Sequence, residues 1–268
     1  MEKDLHPVIE VRNLDLGYDD YIVMRDLNFS VRKNDIFVIM GVSGCGKSTL
    51  LKAMIGLNEP LKGEVLYDGK SFWGADEAGQ QKIMRRFGVL YQGGALWSSL
   101  TLRENVALPL QIYSNLTVSQ IRELASLKLS LVGLAGYEDF YPSQISGGMR
   151  KRAGLARAIA LDPDIVFFDE PSSGLDPVNA KMLDDLILQL RDVLGATIVV
   201  VTHELASIFT VGSNGIFLDA ESKSMIASGN PKDILTNSTD PRVIQFLTRG
   251  RKISLPQADK PAVGRQGV

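Results

Sequence analysis

The chain has 268 residues, 45% of them hydrophobic and 22% charged, and a net charge of −2 at neutral pH. That length buries a substantial core as one large domain or a domain with a lobe, and the near-neutral balance argues against the broad basic footprint of a nucleic-acid binder. The lone cysteine, Cys45, cannot pair within the chain, no secretory signal opens the sequence, and no apolar stretch approaches the ~20 residues of a membrane-spanning helix. The expectation is a cytosolic protein that meets a membrane only through a partner.

In chain order, residues 8–16 alternate apolar and polar like a half-buried strand, and 27–31 read as its antiparallel partner. Ile36 to Met40 is a short continuous apolar run that ends in a glycine-rich loop, and Ser48 to Leu57 has helical spacing: strand, loop, helix. Residues 63–69 carry a strand and turn, and 87–91 another strand. Between Thr101 and Gly133 the pattern turns helical. Thr101 with Glu104 forms a capping box, and Thr117 opens a segment with Ile121, Leu124, Leu127 and Leu131 on one face. Residues 93–160 are expected to be a helical subdomain inserted in a domain of residues 1–250.

The α/β pattern then resumes. Ile165 to Phe168 reads as a buried strand, Asp176 caps and Pro177 starts a helix that runs to Leu194, and Thr197 to Val201 is a β-branched strand. Residues 216–218 and 225–227 add two strands, and Pro231 and Pro241 start two short helices. Strands alternating with helices predict a mostly parallel sheet covered on both faces. The polar, proline-containing segment 251–268 has little to bury and is expected to be a disordered tail.

Gly41-Val42-Ser43-Gly44-Cys45-Gly46-Lys47-Ser48, followed by Thr49, fits the phosphate-binding loop G-x-x-x-x-G-K-[ST] and sits between a predicted strand and a predicted helix. Glycines let backbone N–H groups curl around phosphates, the helix N-terminus adds its positive dipole end, Lys47 reaches the β and γ phosphates, and Ser48 ligates Mg2+. Paired carboxylates ending an apolar strand are costly unless a cation or water waits there. Asp169 therefore reads as a magnesium ligand and Glu170 as the general base that polarises the attacking water.

With Ile145-Ser146-Gly147-Gly148-Met149 ahead of Asp169 and Glu170, the sequence resembles the ABC-type ATPases over nearly its whole length, from about Val8 to Gly229. The resemblance implies a P-loop NTPase core with a mostly parallel sheet, an N-terminal antiparallel β region and the helical insertion, with ATP and Mg2+ as cofactors. It also implies roles for further residues. Tyr18 matches the aromatic that stacks on adenine, with Tyr21 as a competitor. Gln92 matches the glutamine that touches magnesium and water, and His203 the histidine that contacts the γ-phosphate. Asp176 lies in the loop that links the two sites of a dimer. Ser146, Gly147 and Gly148 would bind the phosphate held by the opposite chain, so one copy binds ATP but a homodimer completes each site. The chain departs from the family's usual leucine and glutamine at Ile145 and Met149. Arg150, Lys151, Arg152 and Arg157 on the helix that follows read as a solvated or interdomain face.

The stretch from Tyr91 to Thr101, the Gly147-Gly148-Met149 triplet and the close Asp240 to Leu247 look like the ATPases that serve MCE-type, or Mla, phospholipid transporters. That implies an integral membrane permease, an MCE-domain lipid-binding partner and a peripheral place on the cytoplasmic face of the inner membrane. Other cargo, such as lipoprotein or amino acids, stays open. A DNA-repair ATPase would need a long coiled coil between the phosphate loop and the signature, and a translation factor would need two sets of motifs; neither is present.

Overall fold

The computed structural model describes residues 7–19 and 21–250; the expected tail lies outside the described residues. The chain opens with a long antiparallel hairpin of β1 (Pro7–Tyr18) and β2 (Tyr21–Arg32), then β3 (Ile36–Gly41) and α1 (Lys47–Met54). β4 (Lys62–Tyr67) and β5 (Lys70–Ser71) return to the hairpin and complete a four-stranded sheet in the order β2-β1-β4-β5. After α2 (Glu77–Met84) and β6 (Phe87–Leu90) come three helices, α3 (Leu102–Tyr113), α4 (Val118–Leu131) and α5 (Gly147–Ala158). The rest alternates through β7 (Ile165–Asp169), α6 (Pro177–Leu194), β8 (Thr197–Val201), α7 (Leu205–Val211) and β9 (Asn214–Asp219). It closes with β10 (Ser224–Ser228), α8 (Pro231–Asn237) and α9 (Pro241–Thr248).

The second sheet has the order β10-β9-β3-β8-β7-β6, parallel throughout except at β10. Its central strands β3, β7 and β8 are buried almost throughout because alternate residues serve different cores. Phe37, Ile39, Phe167, Val199 and Val201 pack toward the antiparallel sheet and α1, whereas Val166, Phe168, Ile198 and Val200 pack among residues of α3 to α6. This double use explains the continuous apolar runs. The fold is the expected one: an α/β core with a mostly parallel sheet and an antiparallel β region at its entrance.

Local signals account for the helix starts. Thr101 and Thr117 both form complete capping boxes, and Asp176 accepts from the amides of Val178 at 3.0 Å and Asn179 at 3.1 Å before Pro177 begins α6. Gly195 ends α6 with a left-handed φ of 66°. The unanticipated α2 buries only Ile83 among its residues, so it lacks an apolar period, although Asp76 caps it through the Gly79 amide at 2.9 Å.

Strand register positions the functional residues. Asp169 and Ile39 both lie opposite Val201, and Leu90 lies opposite Phe168. The loops that follow β3, β7, β8 and β6 therefore leave one edge of the sheet, where parallel α/β folds bind ligands.

Candidate active site

At that edge lies a cleft of about 440 Å³, lined by Ser43 through Thr49 of the loop between β3 and α1, with Tyr21, Val23, Gln92, Glu170, His203, Ala220 and Lys223. Two glycines shape the loop. A Cβ on Gly41 would lie 2.5 Å from the carbonyl oxygen of Leu218, and Gly46 has a φ of 99° with Val23 against it, so only glycine lets the strand turn into α1 here. Lys47 is buried, and its ammonium donates to the carbonyls of Gly41 and Val42, both at 2.9 Å, leaving one of three protons for an incoming oxygen.

Ser48 Oγ donates to Asp169 Oδ1 at 3.0 Å, joining the start of α1 to the end of β7. Burial raises the Asp169 pKa from its ordinary value, the Ser48 bond and the Lys52 and Lys47 charges opposing the shift and the Glu170 charge adding to it. A hydroxyl and a carboxylate this close are hard oxygen donors and fit a hard divalent cation such as Mg2+. Glu170 is nearly buried, with a left-handed φ of 50°. Its Oε1 sits 2.9 Å from His203 Nδ1, and Oε2 has no hydrogen-bond partner. The imidazole thus orients one carboxylate oxygen, while the other is enclosed without a hydrogen-bond partner, an unsatisfied acceptor. Gln92 Nε2 reaches Ser173 Oγ at 3.4 Å, so the loop after β6 touches the loop after β7.

The structure therefore brings together Ser43 to Thr49, Gln92, Glu170 and His203, with Asp169 bound to Ser48. Other expected residues lie elsewhere. Ser146 caps α5 through the Met149 amide at 3.2 Å, Ser146 and Gly147 are exposed, and Gly148 packs against Asn179; none of the three lines this cleft. Asp176 is engaged in capping α6. Of the two tyrosines, Tyr21 lines the cleft and Tyr18 does not, although they pair across the hairpin turn. Val23 rests on Gly46, and alternate strand residues share a face, so β2 turns Tyr21 toward the loop. Lys223 lies 4.6 Å from the Tyr21 ring centroid and also lines the cleft; its polar hairpin offered no motif by which to find it.

The two departures from the signature are accommodated by packing: Ile145 is buried and Met149 half-buried, both against the core of α3 to α6. Of the basic residues of α5, read as a solvated or interdomain face, Arg150 is exposed, Lys151 is buried, and Arg152 and Arg157 are half-buried. Arg152 donates to the carbonyls of Val132 and Gly133, and Arg157 to those of Gly94 and Ala95, because α5 is surrounded by loop ends with unpaired carbonyls.

A sequence model of the ABC transporter family matches residues 24–173. The chain is an ABC transporter ATPase. It is 40% identical over 240 residues to the intermembrane phospholipid transport system ATP-binding protein MlaF of Haemophilus influenzae, covering 90% of each chain, and 35% identical over 247 residues to MlaF of Escherichia coli K12, covering 92% and 91%. It is also 42% identical over 245 residues to a probable ribonucleotide transport ATP-binding protein of Mycobacterium leprae, covering 91% of this chain and 70% of that one. Among solved structures, a dimeric post-hydrolysis state of the ATP-binding cassette MJ0796 bound to ADP and Pi superposes with a TM-score of 0.75 at 29% identity, covering 82% of this chain and 97% of that one. ABC transporter ATPases bind and hydrolyse ATP, and they dimerise, as that cassette does. Among the described residues, no helix of this one is long and apolar enough to cross a membrane.

Proposed function

We propose that this ATPase powers phospholipid transport between the inner and outer membranes, as two copies on the cytoplasmic face of an inner-membrane permease that works with an MCE-domain lipid-binding protein. The observation that carries the catalytic part is the meeting of Lys47, Ser48, Asp169, Glu170 and His203 at one sheet edge, while Ser146 and Gly147 stand exposed away from it. A helix start with a hydroxyl and free amides is a phosphate site that needs a second chain to supply the phosphate.

In this reading the loop amides and Lys47 hold the β and γ phosphates of one ATP, and Ser146, Gly147 and Gly148 of the second copy close over it. Ser48, Asp169 and Gln92 would hold Mg2+, which when bound would supply positive charge to offset that of the phosphates. Glu170 accepts the proton of the attacking water, and His203 keeps the carboxylate aimed and meets the γ-phosphate. One tyrosine of the hairpin, Tyr18 or Tyr21, stacks on adenine, and the lining of the cleft favours Tyr21.

A groove of about 650 Å³ between β6, α2 and α3, lined by Met84, Phe87, Tyr91, Leu108, Ile112 and Tyr113 among others, supports docking of an amphipathic permease segment. It adjoins the Gln92 loop, so movement of a docked segment accompanies closure of the site. Likeness to MlaF over 90% of both chains favours phospholipid; the ribonucleotide named for the mycobacterial relative is the second reading. Reconstituting the ATPase with its own permease in vesicles tests both: ATP-dependent movement of labelled phospholipid supports the proposal, and movement of ribonucleotide alone rejects it.

A further inference from the structure

The turn that follows the base is held from below by a buried cation on the signature helix. Lys151 of α5 is 6% exposed, and its ammonium donates to the carbonyls of Pro171 at 2.7 Å and Glu170 at 3.4 Å, and to that of Ser173. Three N–H donors meet three carbonyls, which suits lysine; an apolar side chain would leave them buried and short of partners. Burial lowers the Lys151 pKa, with the Glu170 charge opposing, so the ammonium sits in a dry place that only these carbonyls and the nearby carboxylate make tolerable.

What the cation holds is strained. Glu170 has a left-handed φ, a conformation that persists where its surroundings over-determine it. Its N–H donates to Val201 at 2.9 Å, which ties it to β8, and its carbonyl accepts from Ser173 N at 3.2 Å as well as from Lys151. Ser173 in turn meets Gln92. The same α5 starts at Ser146, so one short helix carries the exposed phosphate-binding start at one end and, a turn later, the clamp on the base.

We propose that Lys151 is a positioning residue for hydrolysis. It rivets the signature helix to the Glu170 turn, so that engagement of Ser146 to Gly148 by the partner's nucleotide is transmitted to the base of this chain's own site. The inference rests on the two-chain reading of the site given above.

The test uses the full chain. Lys151→Met is expected to lower kcat roughly tenfold while the Kd for ATP stays within about twofold, with recovery in Lys151→Arg. In the Glu170→Gln background, Lys151→Met is expected to leave ATP-induced dimerisation, read by light scattering, within about twofold of its concentration dependence. Wild-type turnover in Lys151→Met, or a turnover loss matched by equal losses of nucleotide binding and dimerisation, overturns the proposal. Should Lys151→Met not fold, Lys151→Gln, which keeps two donors without the charge, is read by the same criteria. If Glu170→Gln alone fails to dimerise with ATP, the two-chain reading fails and takes this inference with it; if it dimerises and Lys151→Met is indistinguishable from wild type, only this inference fails.

Discussion

Glu170 and His203, on loops that follow two neighbouring strands, meet at 2.9 Å between Oε1 and Nδ1, while Oε2 of the same carboxylate is unpartnered. The imidazole thus engages one oxygen and leaves the other a buried acceptor without a partner. Glu170→Gln keeps the shape and loses the basicity, so ATP hydrolysis is expected to fall about 100- to 1,000-fold with ATP affinity retained. His203→Ala should cost less, about tenfold or more, because it frees the carboxylate to rotate. Single-turnover phosphate release checks both, and near-normal release by Glu170→Gln would reject the base assignment.

Lys47 is the one cation buried in the phosphate loop, and its two carbonyl contacts hold it over the loop. Lys47→Ala is expected to weaken ATP binding roughly 10- to 100-fold, the loss of one charge-assisted contact. Calorimetric titration measures it, and unchanged affinity would count against the loop as the phosphate site.

Asp184 on α6 is 5% exposed; its Oδ2 accepts from Ser207 Oγ at 3.0 Å and its Oδ1 has no partner. Burial pushes its pKa from an ordinary 3.8 up to about 6, with the Asp185 charge adding to the shift and the Ser207 bond opposing it. Between those values the folded chain keeps a proton that the unfolded chain has released, so stability falls as pH rises through the window and stays reduced above it. Asp184→Asn should therefore raise the unfolding free energy relative to wild type at pH 8, and do so much less at pH 4, by a difference on the order of 1–3 kcal/mol read from denaturant unfolding. Equal shifts at both pH values would show that the carboxylate is not strained by burial.

Cys45 lies in the phosphate loop, 1% exposed, and burial raises its thiol pKa. A protonated, enclosed thiol reacts slowly. Maleimide labelling of the folded protein is expected to be at least about tenfold slower than in denaturant, and ATP turnover should persist during brief treatment. Fast labelling with loss of turnover would show that the loop opens readily.

Much of this molecule could be read locally. The glycine, lysine and serine spacing of residues 41–48 defines a phosphate loop wherever a strand feeds a helix, and the cap at Asp176 with Pro177 marks the start of α6 because those signals act over a single turn. Continuous apolar runs announced strands covered on both faces, since a strand with a wet face would alternate. Other features had no local cause. That Tyr21 rather than Tyr18 faces the loop depends on how β2 lies against Gly46; that α5 spends Lys151 on the Glu170 turn, and that Asp184 finds Ser207, depends on which helix meets which loop. Residues far apart in the chain become neighbours only through sheet register and helix packing, and a sequence states its turns and periods one segment at a time.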